Sequence, residues 1–457
     1  MLDGGISRMK QLIALVPYNL IIGLYGIAEL VKYLLFLINR FTLQVFNNKA
    51  RANAKMDIAW GQKLGLYPRS LPKEVKNKCV LIHCASMGEV TVSIGVIKQI
   101  LDQHPDHYVV VTTNTLTGKQ QLYRKLSAEY QQRVFHTYLP LDLPWMMSAL
   151  LRNVKPLVTL IVEVELWPNL IRKCKSRDIP VIIINARMTE TTLQSYKKVS
   201  WLSKPMIAAI SRVIARNQAD YDGYKSLGFP EQNIQIVGNL KFDIELPDES
   251  VALQKRTQLN LDERLVFIAG STHLDEEEVV INAYKKLKFQ FPELILLVAP
   301  RHPDRFHQVL EYLIVQDVNV IQRSLNEEIT DKTDVVLIDV MGELSTLYGA
   351  SDFAFVGGSI ADKGGHNPLE ASVYSKPVIM GPHVYNNPEV CAELQQVGGL
   401  AIANSEEEFY DTVQLWCENK EVRSKVGKAG RQAIESHAEL TSVIAKAVYE
   451  IVEKPVQ

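Results

Sequence analysis

The stretch HCASMGE, residues 83–89, sets Ser86 and Glu89 three apart directly after the apolar run CVLI. That spacing suits a capping box, in which the two side chains satisfy the first N–H groups of a helix. It equally suits a general base held at the tip of a strand, because a carboxylate at a strand-to-helix turn can take a proton from a bound hydroxyl. A second stretch, EVELWPN (163–169), adds Glu163 and Glu165, which share one face if a strand runs that far. A third, NLKFD, contributes Lys241 beside a change in sequence character, where it either pairs with an acid or meets a developing negative charge.

The second half holds a different chemistry. APRHPDR (299–305) places Arg301 and His302 after an apolar run, and both can donate to phosphate. DVMGELSTLY sets Gly342, Glu343 and Leu344 in a turn whose backbone is open to a base or ribose. FVGGSIADKGGHNPLEAS (355–372) reads as a glycine-rich turn and a helix start, with Asn367 as N-cap, Pro368 at N1 and Glu370 at N3 around Leu369. Glycines there let backbone N–H groups approach a phosphate, and Glu370 suits sugar hydroxyls. Three such turns in one half describe a nucleotide pocket. Neither half opens with G-x-G-x-x-G, and no Walker A motif occurs, which disfavours nicotinamide and flavin chemistry. Asp220 and Asp222 fall in a helical pattern and read as solvated surface, so no metal site is expected.

The elements that must position these groups are short β-branched runs alternating with helical patterns from Cys79 onward. Nearly continuous apolar strands of this kind belong to parallel sheets covered on both faces. The pattern restarts after KFDIELPDESVALQ, which puts a boundary near residues 243–250. The expected division is 1–45, an apolar anchor; 46–245, a first α/β domain; and 246–457, a second that includes the C-terminal helices. A chain of 457 residues suits two such domains. Its net charge of -1 argues against a nucleic-acid partner. The scattered Cys79, Cys84, Cys174, Cys391 and Cys417 argue against a zinc site or disulfide framework. Leu12 to Asn39 is almost wholly apolar and is followed by Arg40, Lys49, Arg51 and Lys55, so membrane attachment with a cytoplasmic body is expected, spanning or interfacial.

HCASMGE, YLPLDLP, EVELWPN, NARM, GNLKFD, GSTH, APRH, FVGGS and GGHNPLE, in this order, resemble the Kdo transferases, the 3-deoxy-D-manno-octulosonic acid transferases of lipopolysaccharide synthesis. The resemblance runs from the N-terminal anchor to near the C-terminus. It implies two Rossmann-like doubly wound domains facing across a cleft, the GT-B glycosyltransferase fold, behind a membrane-anchor helix. It also implies CMP-Kdo as donor, a lipid A precursor (lipid IVA) as acceptor at the cytoplasmic face of the inner membrane, and inversion without a metal or cofactor. By the same resemblance Glu89 is the catalytic base, while Glu163 and Lys241 stabilise the transition state. The CMP contacts fall on Arg301 and His302, on Gly342 to Leu344, and on Asn367 to Glu370. Val164 stands where the family pattern has threonine, which removes a hydroxyl but neither acid. Other nucleotide-sugar enzymes of this fold, a hexosyltransferase or a UDP-sugar epimerase, and an inactive nucleotide-binding scaffold are the competing readings.

Overall fold

The computed structural model describes residues 15–28, 61–67 and 71–453. The chain divides into two compact units, one running to Leu240 and resuming at Glu439, the other Lys241–Ala438. Of the expected anchor over 1–45, only 15–28 and its helix lie within the described residues. No helix among the described residues is long and apolar enough to cross a membrane.

The first unit is built on seven parallel strands: β1 (Cys79–Cys84), β2 (Tyr108–Thr113), β3 (Val134–Tyr138), β4 (Val158–Val162), β5 (Val181–Ala186), β6 (Arg212–Ala215) and β7 (Ile234–Ile236). Their order is β3-β2-β1-β4-β5-β6-β7. β1, β4 and β5 are buried along their whole length, which is why they read as unbroken apolar runs. Successive side chains feed opposite layers: Leu81 and Ile183 enter one core, Ile82 and Ile184 the other. The strand order reverses between β1 and β4, and ligands of such sheets bind at the carboxyl ends beside that reversal.

The second unit repeats the plan with β8 (Leu265–Thr272), β9 (Leu294–Pro300), β10 (Val320–Gln322), β11 (Val335–Leu337), β12 (Phe353–Val356), β13 (Val378–Met380) and β14 (Leu400–Ile402). The order is β10-β11-β9-β8-β12-β13-β14, all parallel, reversing between β8 and β12.

Two expectations about boundaries change. Lys241 and Phe242 open the second unit, ahead of the break expected after residue 245, because Phe242 is fully buried in that unit's core and its ring lies 4.7 Å from that of His437. The helix Leu440–Val452, expected with the second domain, belongs to the first. Its stripe of Leu440, Ile444, Ala447 and Val448 joins the core layer of Ile97, Ile100 and Leu101 from the helix Met87–Gln103. Gly95 leaves room for it, since a Cβ there would stand 2.5 Å from Cγ2 of Thr441. The sequence shows the apolar stripe but not which sheet it covers.

The helix over 15–28 is tied down by polar contacts. Tyr18 donates to the Asp142 carboxylate at 2.9 Å, and Asn169 Nδ2 donates to the side-chain oxygen of Asn19 at 2.7 Å. Val16, Leu20, Ile21, Leu24, Tyr25 and Ile27 on the same helix are exposed.

Candidate active site

At the end of β1 the chain turns into the helix Met87–Gln103, with Ser86 as its N-cap. The Ser86 hydroxyl accepts the Glu89 N–H at 3.3 Å, one half of a capping box. The Glu89 carboxylate turns inward, where Oε2 accepts the Ala85 N–H at 2.5 Å and Oε1 a weak 3.4 Å contact from Ser86. Glu89 is 8% exposed. Burial, with the charges of Glu163 and Glu165 adding to it against the Ala85 N–H, pushes its pKa up to about 8. Both halves of the HCASMGE turn thus meet at one residue. Its backbone is the capped group, and its carboxylate keeps lone pairs to spare.

Glu163 and Glu165 come from the end of β4, across the reversal. The strand stops at Val162, so the alternation expected to set both acids on one face does not extend to them. Glu163 instead has φ +62°, a left-handed backbone that a side chain larger than glycine adopts at a cost of about 1–3 kcal/mol and that clusters at functional sites. Glu165 accepts from Asn114 Nδ2 at 3.1 Å.

The rest of EVELWPN serves as support. The Trp167 indole N–H donates to Nε2 of the buried His83 at 3.0 Å, so that nitrogen carries no proton. The proton of the neutral ring then sits on Nδ1, 3.0 Å from the Thr112 hydroxyl. Glu165 lies 3.6 Å from Nε2 but meets a nitrogen already used as an acceptor. Pro168 opens the helix Pro168–Lys175, whose Asn169 and Leu170 N–H groups both donate to Asp142 at 2.8 Å. Asp142 is the acid of YLPLDLP. Burial raises its pKa to about 6 against those hydrogen bonds.

In the second unit the corresponding reversal is fastened by Glu276, at the start of the helix Glu276–Gln290. Its carboxylate accepts the N–H groups of His273, Gly358, Ser359, Ile360 and Ala361 at 2.8–3.1 Å. Gly357 is required there, since a Cβ would lie 2.7 Å from Glu276 Oε2 and 2.4 Å from the Ser271 carbonyl oxygen. Four N–H groups of the glycine turn, expected to face a phosphate, are therefore spent on a carboxylate. The anion-binding character of the turn is real, but the anion is the protein's own.

Basic residues follow the neighbouring strand. Arg301 and His302 follow β9 and are exposed, and the His302 ring meets His273 edge-on with centroids 5.4 Å apart. Gly342 has φ +95°. Glu343 pairs with Lys255 at 3.0 Å and Arg323 at 3.0 Å, and Leu344 starts the helix Leu344–Ala350. Pro368, not Asn367, is the N-cap of the single turn Leu369–Ser372, although the Asn367 side chain still accepts the Leu369 N–H at 3.2 Å. Glu370 is exposed. Lys241 is half-buried in this unit, where it partly offsets the burial that raises the Cys391 thiol to about 12. The structure thus gathers Glu89, Glu163 and Glu165 in the first unit. Arg301 and His302 join His273 and His366 in the second.

Residues 59–244 match the family model described as 3-Deoxy-D-manno-octulosonic-acid transferase (kdotransferase), and 252–433 match Glycosyl transferases group 1. A 3-deoxy-D-manno-octulosonic acid transferase of Haemophilus influenzae is 37% identical over 78% of this chain and 83% of its own length. The chain belongs to the Kdo transferase family. A second Kdo transferase, from Rickettsia bellii, is 30% identical over 72% of this chain and 77% of its own. Among solved structures, UDP-GlcNAc 2-epimerase from Neisseria meningitidis shares the fold, with a TM-score of 0.53 over 81% of this chain and all of that one, at 15% identity. That likeness carries architecture only. The chain is a Kdo glycosyltransferase, and the epimerase and scaffold readings fall away.

Two groups escaped the sequence reading. Glu276 sits in DEEE, where three acids in a first helical turn look like ordinary dipole complement. His273 and His366 are 93 residues apart, and only the fold pairs them. The one available signal was that each follows a strand end rich in small residues.

Proposed function

We propose that this Kdo transferase moves Kdo from CMP-Kdo to a lipid A precursor, lipid IVA, with inversion and without a metal. Glu89 takes the proton of the acceptor hydroxyl as that oxygen bonds to the anomeric carbon, and the bond to phosphate breaks with its electron pair leaving on CMP. The observation that supports this reading best is the state of the Glu89 carboxylate. It is buried, faces Glu163, and accepts one short backbone hydrogen bond, so its basicity is raised to about 8 while it stays able to accept a proton. A direct displacement asks for no enzyme nucleophile.

CMP binding is assigned to the second unit, through Arg301, His302, the Gly342–Leu344 turn and Asn367 to Glu370. Glu163 and Lys241 stabilise the charge that develops during transfer. The exposed apolar residues Val16, Leu20, Ile21, Leu24 and Ile27 rest against the cytoplasmic surface of the inner membrane, which confines the enzyme near a lipid acceptor. Incubation with CMP-Kdo and tetraacylated lipid A precursor should give a product heavier by one or more Kdo residues on mass analysis. No mass gain from protein that still binds CMP would sink the transfer reading.

A further inference from the structure

His273 and His366 stand at the carboxyl end of the second sheet, and their Nε2 atoms are 3.0 Å apart. The ring planes differ by 4° and the centroids are 5.2 Å apart. That separation is the nitrogen–nitrogen distance plus about two ring radii, so the imidazoles meet edge to edge in one plane, with no face contact. Such a contact holds a single proton between two nitrogens. A second proton on the same edge would set two donors against each other.

The surrounding fold builds this contact. The His366 N–H donates to the Gly357 carbonyl at 3.0 Å, and the Gly365 N–H to that of Gly358 at 2.6 Å. Gly358, at φ +71°, makes the room, since a Cβ there would lie 3.0 Å from His366 Cδ2. The charged neighbours are mostly cations: Arg301 after β9, Arg305 from the following turn, and Lys363 from the loop after β12, with the His302 imidazole beside them. The carboxylates of this end are engaged elsewhere. Glu276 holds five backbone N–H groups, Glu277 pairs with Arg305 at 2.9 Å, and Asp362 faces His383 at 3.6 Å.

We infer that His273 and His366 act as one proton-accepting unit, which takes up a proton when the phosphate of the nucleotide enters this cationic pocket. The proton comes from solvent and goes to an Nδ1, since the Nε2 edge already holds its one proton in the neutral pair, and it leaves an imidazole–imidazolium pair whose single positive charge opposes the phosphate. The added charge grows in value as the phosphodiester of the donor becomes the doubly charged monoester of the product. Burial and the nearby cations hold both rings at about 4 before the nucleotide arrives, so an arriving anion has a large range in which to restore their basicity. The inference rests on the assignment of CMP to the second unit.

Calorimetric titration of the full chain with CMP, in two buffers of different ionisation heat, counts the protons exchanged. Near pH 6 the wild type should take up roughly half to one proton more per CMP than H366Q or H273Q, because CMP's own ionisation is common to all three. Either glutamine keeps a hydrogen-bond partner and removes one of the two sites that share the proton. Both variants should bind CMP several-fold more weakly and cytidine as the wild type does, which also shows an intact fold. Equal proton counts in wild type and variants would overturn the shared-proton role while leaving the CMP site standing. Absence of CMP binding by the wild type would overturn the site itself and the pair's role with it.

Discussion

Each unit places a glutamate at the start of the helix that follows its first central strand, and the two are bonded in opposite ways. Glu276 and Glu89 are both buried, and burial raises both carboxyls above their ordinary range. Glu276 answers that cost with five backbone hydrogen bonds that hold the next strand's exit loop in place. Glu89 receives one, from Ala85, and faces another carboxylate instead of donors. A saturated carboxylate is a structural tie, whereas an unsaturated one facing like charge keeps the lone pairs that the proposed base needs. Burial alone does not tell them apart; the number of donors does.

The comparison breaks first at Glu89. E89Q should lose about 10²- to 10⁴-fold in kcat while CMP binding persists, measured by product formation and nucleotide titration. A second readout separates cap from base. The folded pKa of about 8 lies above the usual 4.5, so Glu89 subtracts stability progressively as pH rises between those values. E89Q should therefore unfold no more easily than wild type at pH 9, and clear destabilisation there would return Glu89 to a capping role.

At Glu276 the effect should fall on the fold. E276A strands buried N–H groups that cost about 1–3 kcal/mol each, so denaturant unfolding should show a loss of at least about 3 kcal/mol. A stable E276A with altered kcat alone would reverse the assignment. A gentler probe is the pH profile. Transfer by wild type should rise with pH through about 8 as Glu89 loses its proton, and E163Q should move that limb to lower pH by removing a repelling charge. A limb unmoved by E163Q would mean that the two acids do not communicate. The smallest effect belongs to Y18F, which deletes the bond to Asp142 and should cost about 1 kcal/mol in thermal unfolding.

Much of this is readable in the sequence. The runs CVLIHCA, LVTLIVEV and PVIIINAR became β1, β4 and β5 because strands buried on both faces show an uninterrupted apolar signal. Glu89 was legible because strand-turn-acid is a local pattern. What escaped was non-local. The bonds from Glu276 to residues 358–361 span more than eighty positions, and the Trp167–His83 bond spans 84. That the N–H groups of residues 358–361 are taken by Glu276 was hidden for the same reason, since donors are visible in sequence and the acceptor that consumes them is not. Left-handed Glu163 was invisible because nothing in its residue type announces it.

The first unit is discontinuous in the chain, and this bears on the order of synthesis. Its sheet is complete once Ile236 has been made, yet the helix Leu440–Val452 that covers Ile97, Ile100 and Leu101 emerges only after the whole second unit. Until then the nascent first unit carries an uncovered apolar face. Fragments cut near residue 240 inherit that defect permanently, whereas the second unit, Lys241–Ala438, is continuous in the chain.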